Sequence, residues 1–111
     1  MRYLLLTLLL APRLAWAHAI LMQSQPAEQS SIPAGSTEIV LRYNSRIDHA
    51  RSRLTLRGTN AEMTLPLHPD SAPDVLGTSA ELTPGDYVLH WQVLAVDGHV
   101  TRGDVRFSVT P

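Results

Sequence analysis

The chain has 111 residues, nine arginines and no lysine against ten carboxylates, a net charge of −1, and no cysteine. One small domain is all this length allows. The slightly acidic balance lacks the basic footprint that nucleic-acid binding needs, and the absence of cysteine excludes disulfides, thiolate metal sites and cysteine nucleophiles. Any bound metal is therefore held by nitrogen and oxygen, with a few thioethers as the only sulfur.

The first seventeen residues read as a cleavable signal peptide. Arg2 supplies the positive start, Leu4 to Leu10 a short apolar run broken by Thr7, and Ala15-Trp16-Ala17 a small-x-small cleavage signature. That run is far shorter than the roughly 20 residues needed to span a bilayer. The expected domain is then 18–111, with seven arginines against ten carboxylates, exported and beginning His18-Ala19-Ile20-Leu21.

Along 18–111 the pattern is one of short strands separated by Pro, Gly, Ser and Asp. An opening strand covers Ala19 to Met22. Thr37, Ile39, Leu41 and Tyr43 alternate with Glu38, Val40 and Arg42, and Leu54 and Leu56 alternate with Arg53, Thr55 and Arg57. Met63, Leu65 and Leu67 form a third period-2 run that Pro69 ends. Asp70 to Thr78 reads as a polar loop, followed by a brief strand over Ser79 to Leu82 and a Thr83-Pro84-Gly85-Asp86 turn.

The clearest strand sets Tyr87, Leu89, Trp91, Val93 and Ala95 on one face and His90 and Gln92 on the other. The last sets Val105, Phe107 and Val109 inward and Asp104, Arg106 and Ser108 outward. Seven strands and no helix in one small domain predict an all-β fold, an Ig-like Greek-key β-sandwich or partly closed barrel.

The chemistry concentrates at two places. Processing after Ala17 frees an α-amine on His18, next to its own imidazole; binding one metal through that amine and Nδ1 closes a six-membered chelate ring. Asp97-Gly98-His99 directly follows the strongest strand. Residues two apart on an extended chain share a side, so the Asp97 carboxylate and His99 imidazole can converge. Three nitrogens and one oxygen suit tetragonal Cu(II), which heads the affinity order for such donors, whereas zinc would draw them toward a tetrahedron.

These residues resemble the CopC family of periplasmic copper-binding proteins. The resemblance runs through His18-Ala19-x-Leu21, Ser24-x-Pro26-Ala27, Pro84-Gly85-x-Tyr87-x-x-x-Trp91, Asp97-Gly98-His99, Gly103, Phe107 and Val109, in that order along 18–111. It implies a seven-stranded Greek-key sandwich and one Cu(II) ion held by His18, Asp97 and His99. The expected role is copper resistance or homeostasis in the periplasm, as a monomer, with a membrane copper transporter of the CopD type as possible partner.

Some relatives carry a methionine-rich Cu(I) loop; here Met22 and Met63 are isolated and read as core residues. Tyr43-Asn44-Ser45-Arg46-Ile47 stands where the family pattern has an aromatic-Ser-Glu/Asp-Pro-like stretch, and Val100 stands for a frequent proline.

The other histidines, His49, His68 and His90, read as surface residues. Arg42, Arg46, Arg51, Arg53 and Arg57 read as a solvated face, with contact to an acidic partner as the alternative. Two competing functions remain. A copper oxidase of the polysaccharide monooxygenase type shares the N-terminal histidine, but usually needs a broad aromatic face and an equatorial position that a carboxylate would fill. A metal-free β-sandwich interaction module would leave the His18 start and the Asp97-Gly98-His99 triplet a coincidence.

Overall fold

The computed structural model describes residues 18–111, so the signal-peptide expectation for 1–17 lies outside the described residues. The described residues form eight strands: β1 (Leu21–Gln25), β2 (Ser30–Pro33), β3 (Gly35–Tyr43), β4 (Arg53–Arg57), β5 (Glu62–Leu65), β6 (Val75–Leu82), β7 (Gly85–Leu94) and β8 (Val100–Thr110). A 3₁₀ turn spans His49–Arg51 and is capped by Asp48, whose side chain accepts from the Arg51 N–H.

The strands form two sheets, ordered β1-β3-β6 and β2-β8-β7-β4-β5. All pairings are antiparallel except the short parallel edge of β2 on β8. The fold is a two-sheet sandwich with open edges and not a closed barrel.

The period-2 pattern explains the core. Ile39, Leu41 and Tyr43 from β3 and Leu76 from β6 face Leu54, Leu89, Val93 and Val105 of the other sheet, each 2 % exposed or less. Burying each aliphatic side chain of this size contributes about 1.5–3 kcal/mol, which is how a cysteine-free domain holds two sheets together. Tyr43 meets Trp91 edge-on across the sandwich, with ring centroids 5.3 Å apart. Burial pushes the Tyr43 hydroxyl far above the ordinary phenol pKa, so it stays neutral in the core.

Four sequence expectations need correction. The strand count is eight, because Ser30–Pro33 has no alternating signal and is a strand only through its pairing with β8. The Asp70 to Thr78 segment is a loop only to its midpoint, since β6 begins at Val75 and pairs with Arg42. Met22 and Met63 are not core residues: they are 58 % and 54 % exposed, because β1 and β5 are edge strands that neighbours cover on one side only. The five arginines named above do not share one face, since Arg42 lies on the three-stranded sheet and Arg53 and Arg57 on the five-stranded one.

Gly103 has a packing reason to be glycine. It pairs with Trp91 across β7 and β8, and a Cβ there would lie 2.7 Å from Cε2 and 2.9 Å from Nε1 of the indole. Gly103→Ala must therefore push the central tryptophan off its site, at a cost of about 1–3 kcal/mol. A lower denaturant midpoint at unchanged m-value checks this; an unchanged midpoint would show that the indole yields freely.

Candidate metal centre

The β7–β8 connection is built to hold two side chains together. Gly98 N–H donates to the Ala95 carbonyl at 2.9 Å, and Ala95 N–H donates to the His99 carbonyl at 2.8 Å. The turn needs a residue at φ +91°, and Gly98 supplies it without a Cβ clash. Within this turn Asp97 accepts twice from His99: the backbone N–H reaches Oδ1 at 3.1 Å and ring Nδ1 reaches Oδ2 at 2.5 Å.

An ionised carboxylate only accepts, so Nδ1 carries the proton of this pair. The lone pair of the neutral His99 ring then sits on Nε2. Desolvation in the turn works to raise the Asp97 pKa, but the two hydrogen bonds from His99, and the positive charge of that ring when it is protonated, outweigh it and hold it below the ordinary carboxylate value. The His99 side chain is 60 % exposed and that of Asp97 22 %.

His18 reaches this turn from the other end of the chain. Its ring meets His99 edge-on, centroids 4.7 Å apart and planes at 74°. The segment behind it is pinned at three points. Ala19 is only 2 % exposed, and its carbonyl accepts from Thr101 Oγ1 at 3.0 Å. Ile20 N–H donates to Asn44 Oδ1 at 2.8 Å, and Asn44 N–H donates back to the Ile20 carbonyl at 3.0 Å.

Thus the structure brings together all three residues expected from the sequence. His18, Asp97 and His99 each offer a donor atom, and these atoms lie within 4.8 Å of one another. Donors around one first-row ion stand at about 2.0–2.2 Å from it, so opposed pairs are about 4 Å apart and a small contraction suffices. It is the only such group of three among the described residues.

The sequence reading missed Asn44 and Thr101, whose role depends on contacts across 24 and 82 residues. The remaining histidines stand apart. His49, half-buried and not simply at the surface, donates through Nε2 to the Val75 carbonyl at 2.7 Å. His68 lies 3.7 Å from Glu38, and His90 Nδ1 lies 2.7 Å from Asp104. A cavity of about 700 Å³ opens around Leu56, Met63, Leu82 and Tyr87, near the start of β7 and away from the turn that carries Asp97 and His99; none of the three site residues lines it.

Comparison with known proteins agrees with this fold. The CopC domain model matches residues 21–110. Protein YobA of Escherichia coli K12 is 33 % identical over 111 residues, covering 96 % of this chain and 89 % of its own. Copper resistance protein C of Xanthomonas campestris pv. juglandis is 32 % identical over 110 residues, covering 90 % and 86 %. The copper transport protein CutJ of Bacillus subtilis is 22 % identical across 96 % of this chain but only 20 % of its own length.

Among solved structures, CopC from Methylosinus trichosporium OB3b superposes with a TM-score of 0.72 at 26 % identity, covering 85 % of this chain and 95 % of that one. Immunoglobulin-like neighbours share the sandwich more distantly. Family model, relatives and fold agree: the chain belongs to the CopC domain family of copper-binding, copper resistance proteins, which are not enzymes.

Proposed function

We propose that the chain, once cut after Ala17, is a periplasmic carrier of one Cu(II) ion held by the His18 amine and imidazole, His99 and Asp97. The carrying observation is the convergence of His18, Asp97 and His99 from opposite ends of the domain onto one exposed point. Before cleavage the His18 nitrogen is an amide, so the amine donor exists only in the processed chain. Copper here is cargo, and the exposure of His99 leaves it open to exchange.

Delivery goes to a membrane copper transporter of the CopD type, or the ion is simply sequestered. The match to a fifth of a longer copper transport protein supports a partner in transport. Nitrogen and oxygen donors without thioethers suit Cu(I) poorly, so reduction favours release.

A Cu(II) titration read by electron paramagnetic resonance tests the site. Processed protein should show one tetragonal signal with nitrogen couplings, and a version with one extra residue before His18 should lose it. Equal binding by both versions would overturn the site. His18→Ala should weaken binding by more than about 100-fold, and Asp97→Ala by about 10- to 100-fold.

The clamp should matter without touching the ion. Asn44→Ala and Thr101→Val each remove about one hydrogen bond's worth of positioning, so affinity should fall about fivefold while the nitrogen couplings stay the same. Unchanged affinity in both variants would show that the clamp does not set the site.

Affinity should also fall as pH drops from about 8 to about 5. An α-amine titrates near 7.7–8.0 and an imidazole near 6.5 in model peptides, about the range in which protons displace the metal. Asp97, with its lowered pKa, stays ionised through this window, so the loss should follow the nitrogens. Competition titrations at stepped pH check this, and a flat profile would exclude the amine as a donor.

A further inference from the structure

The outer face of the five-stranded sheet carries charge out of step with the rest of the molecule. Burial alternates along β4, β7 and β8, with Leu54, Leu56, Leu89, Trp91, Val105 and Phe107 inside. Their neighbours face out, and the strand register sets them in three rows: Arg53–Gln92–Arg102, Thr55–His90–Asp104 and Arg57–Val88–Arg106. Two arginine columns therefore flank β7, two strand spacings or about 9.6 Å apart, and within a column the arginines stand four residues or about 13 Å apart.

This face holds four of the seven arginines of 18–111. Its carboxylates are Glu62, Asp86 and Asp104, which leaves three arginines and seven carboxylates elsewhere. Glu28 borders it and is engaged by the Arg106 backbone N–H at 2.8 Å.

These acids do not neutralise the arginines tightly. Arg57 is 3.4 Å from Glu62 and Arg106 3.7 Å from Asp104, with both arginine side chains more than half exposed; such pairs contribute little. Asp104 also accepts from His90, and Asp86 from Ser108 at 2.8 Å. Arg102 donates to the neutral Gln92. A cavity of about 410 Å³ opens between Arg57 and Arg106, with Val88, Gln29 and Ser108 among its walls.

We propose that this face docks an extended acidic segment of a partner protein, laid along β7 between the arginine columns. Carboxylates four residues apart on such a segment match the spacing within a column, and the guanidinium fork binds each of them bidentately. Charge complementarity selects this occupant. A planar anionic lipid surface would press on Asp86, Asp104 and Glu62 together with the arginines, whereas discrete carboxylates avoid them. None of the exposed large apolar side chains lies between the arginine rows to enter a membrane.

The Arg53–Gln92–Arg102 row is the one nearer the metal site, since Arg102 follows His99 by three residues. A segment lying here would hold its parent protein beside the ion. The purpose of the contact rests on the proposed copper function, but the contact itself needs no metal.

The test uses metal-free processed protein and two labelled nine-residue peptides of the same composition, followed by fluorescence anisotropy. One has glutamates at positions one, five and nine in a Thr/Val background; the other has them contiguous. The spaced peptide should bind about tenfold more tightly, and its affinity should fall about tenfold between 0.05 and 0.5 M salt. Arg57→Glu/Arg106→Glu and Arg53→Glu/Arg102→Glu should each remove most of the binding while leaving the Cu(II) titration unchanged, with Arg→Gln pairs replacing any variant that misfolds.

Equal affinity for both peptides, binding that survives these substitutions, or no peptide binding would overturn the proposal. Capture by phosphatidylglycerol vesicles in place of the spaced peptide would reassign the face to lipid. Loss of copper binding in the titration of unaltered protein would instead strike at the proposed function.

Discussion

Ala19 is the side chain on which the candidate centre depends. It is nearly fully buried, and with Thr101 on its carbonyl and Asn44 on the next residue it ties the start of the domain to the β7–β8 hairpin and to the end of β3. A free terminal histidine samples a wide volume, and ordering each residue costs about 1–2 kcal/mol of backbone entropy. Here folding of the sandwich meets that cost in advance. His18 is held edge-on to His99, so binding a metal there would order little beyond side chains.

The hairpin contributes a second kind of preorganisation. A turn closed by Gly98 and Ala95 places Asp97 where it takes both His99 hydrogens, backbone and ring. One carboxylate thereby sets a ring orientation and a tautomer, the usual way an oriented imidazole is made a better ligand. The same hydrogen bonds keep the carboxylate charged, so the negative charge that attracts a cation and the lone pair that binds it have one structural origin.

Much of this was legible in the residues, for identifiable reasons. β3, β7 and the later part of β8 bury one face each, so their alternation in Ile39–Tyr43, Leu89–Val93 and Val105–Val109 survives into the structure. The Asp97-Gly98-His99 triplet was readable because its members are adjacent and the turn is local. β2 was not, since Ser30–Pro33 is a strand only by virtue of β8 beside it. Met22 and Met63 misled because apolar alternation predicts a face and not how much of it the opposite sheet covers. Asn44 and Thr101 were invisible for a related reason: each is one polar residue whose partner lies far away in sequence.

The sandwich also divides its charge between places with different tasks. Carboxylates outnumber arginines over the domain as a whole, yet the outer face of the long sheet gathers most of the arginines in two columns. Nothing in the packing of the core requires this, since outward positions of β4 and β8 accept any polar side chain. What the arrangement does create is an asymmetry: this face carries four arginines against three carboxylates, and the rest of 18–111 three against seven. Because β7 runs from the far end of that face to the turn bearing Asp97 and His99, the strand that organises the arginine columns also carries the candidate ligands, and its rigidity fixes the two relative to each other.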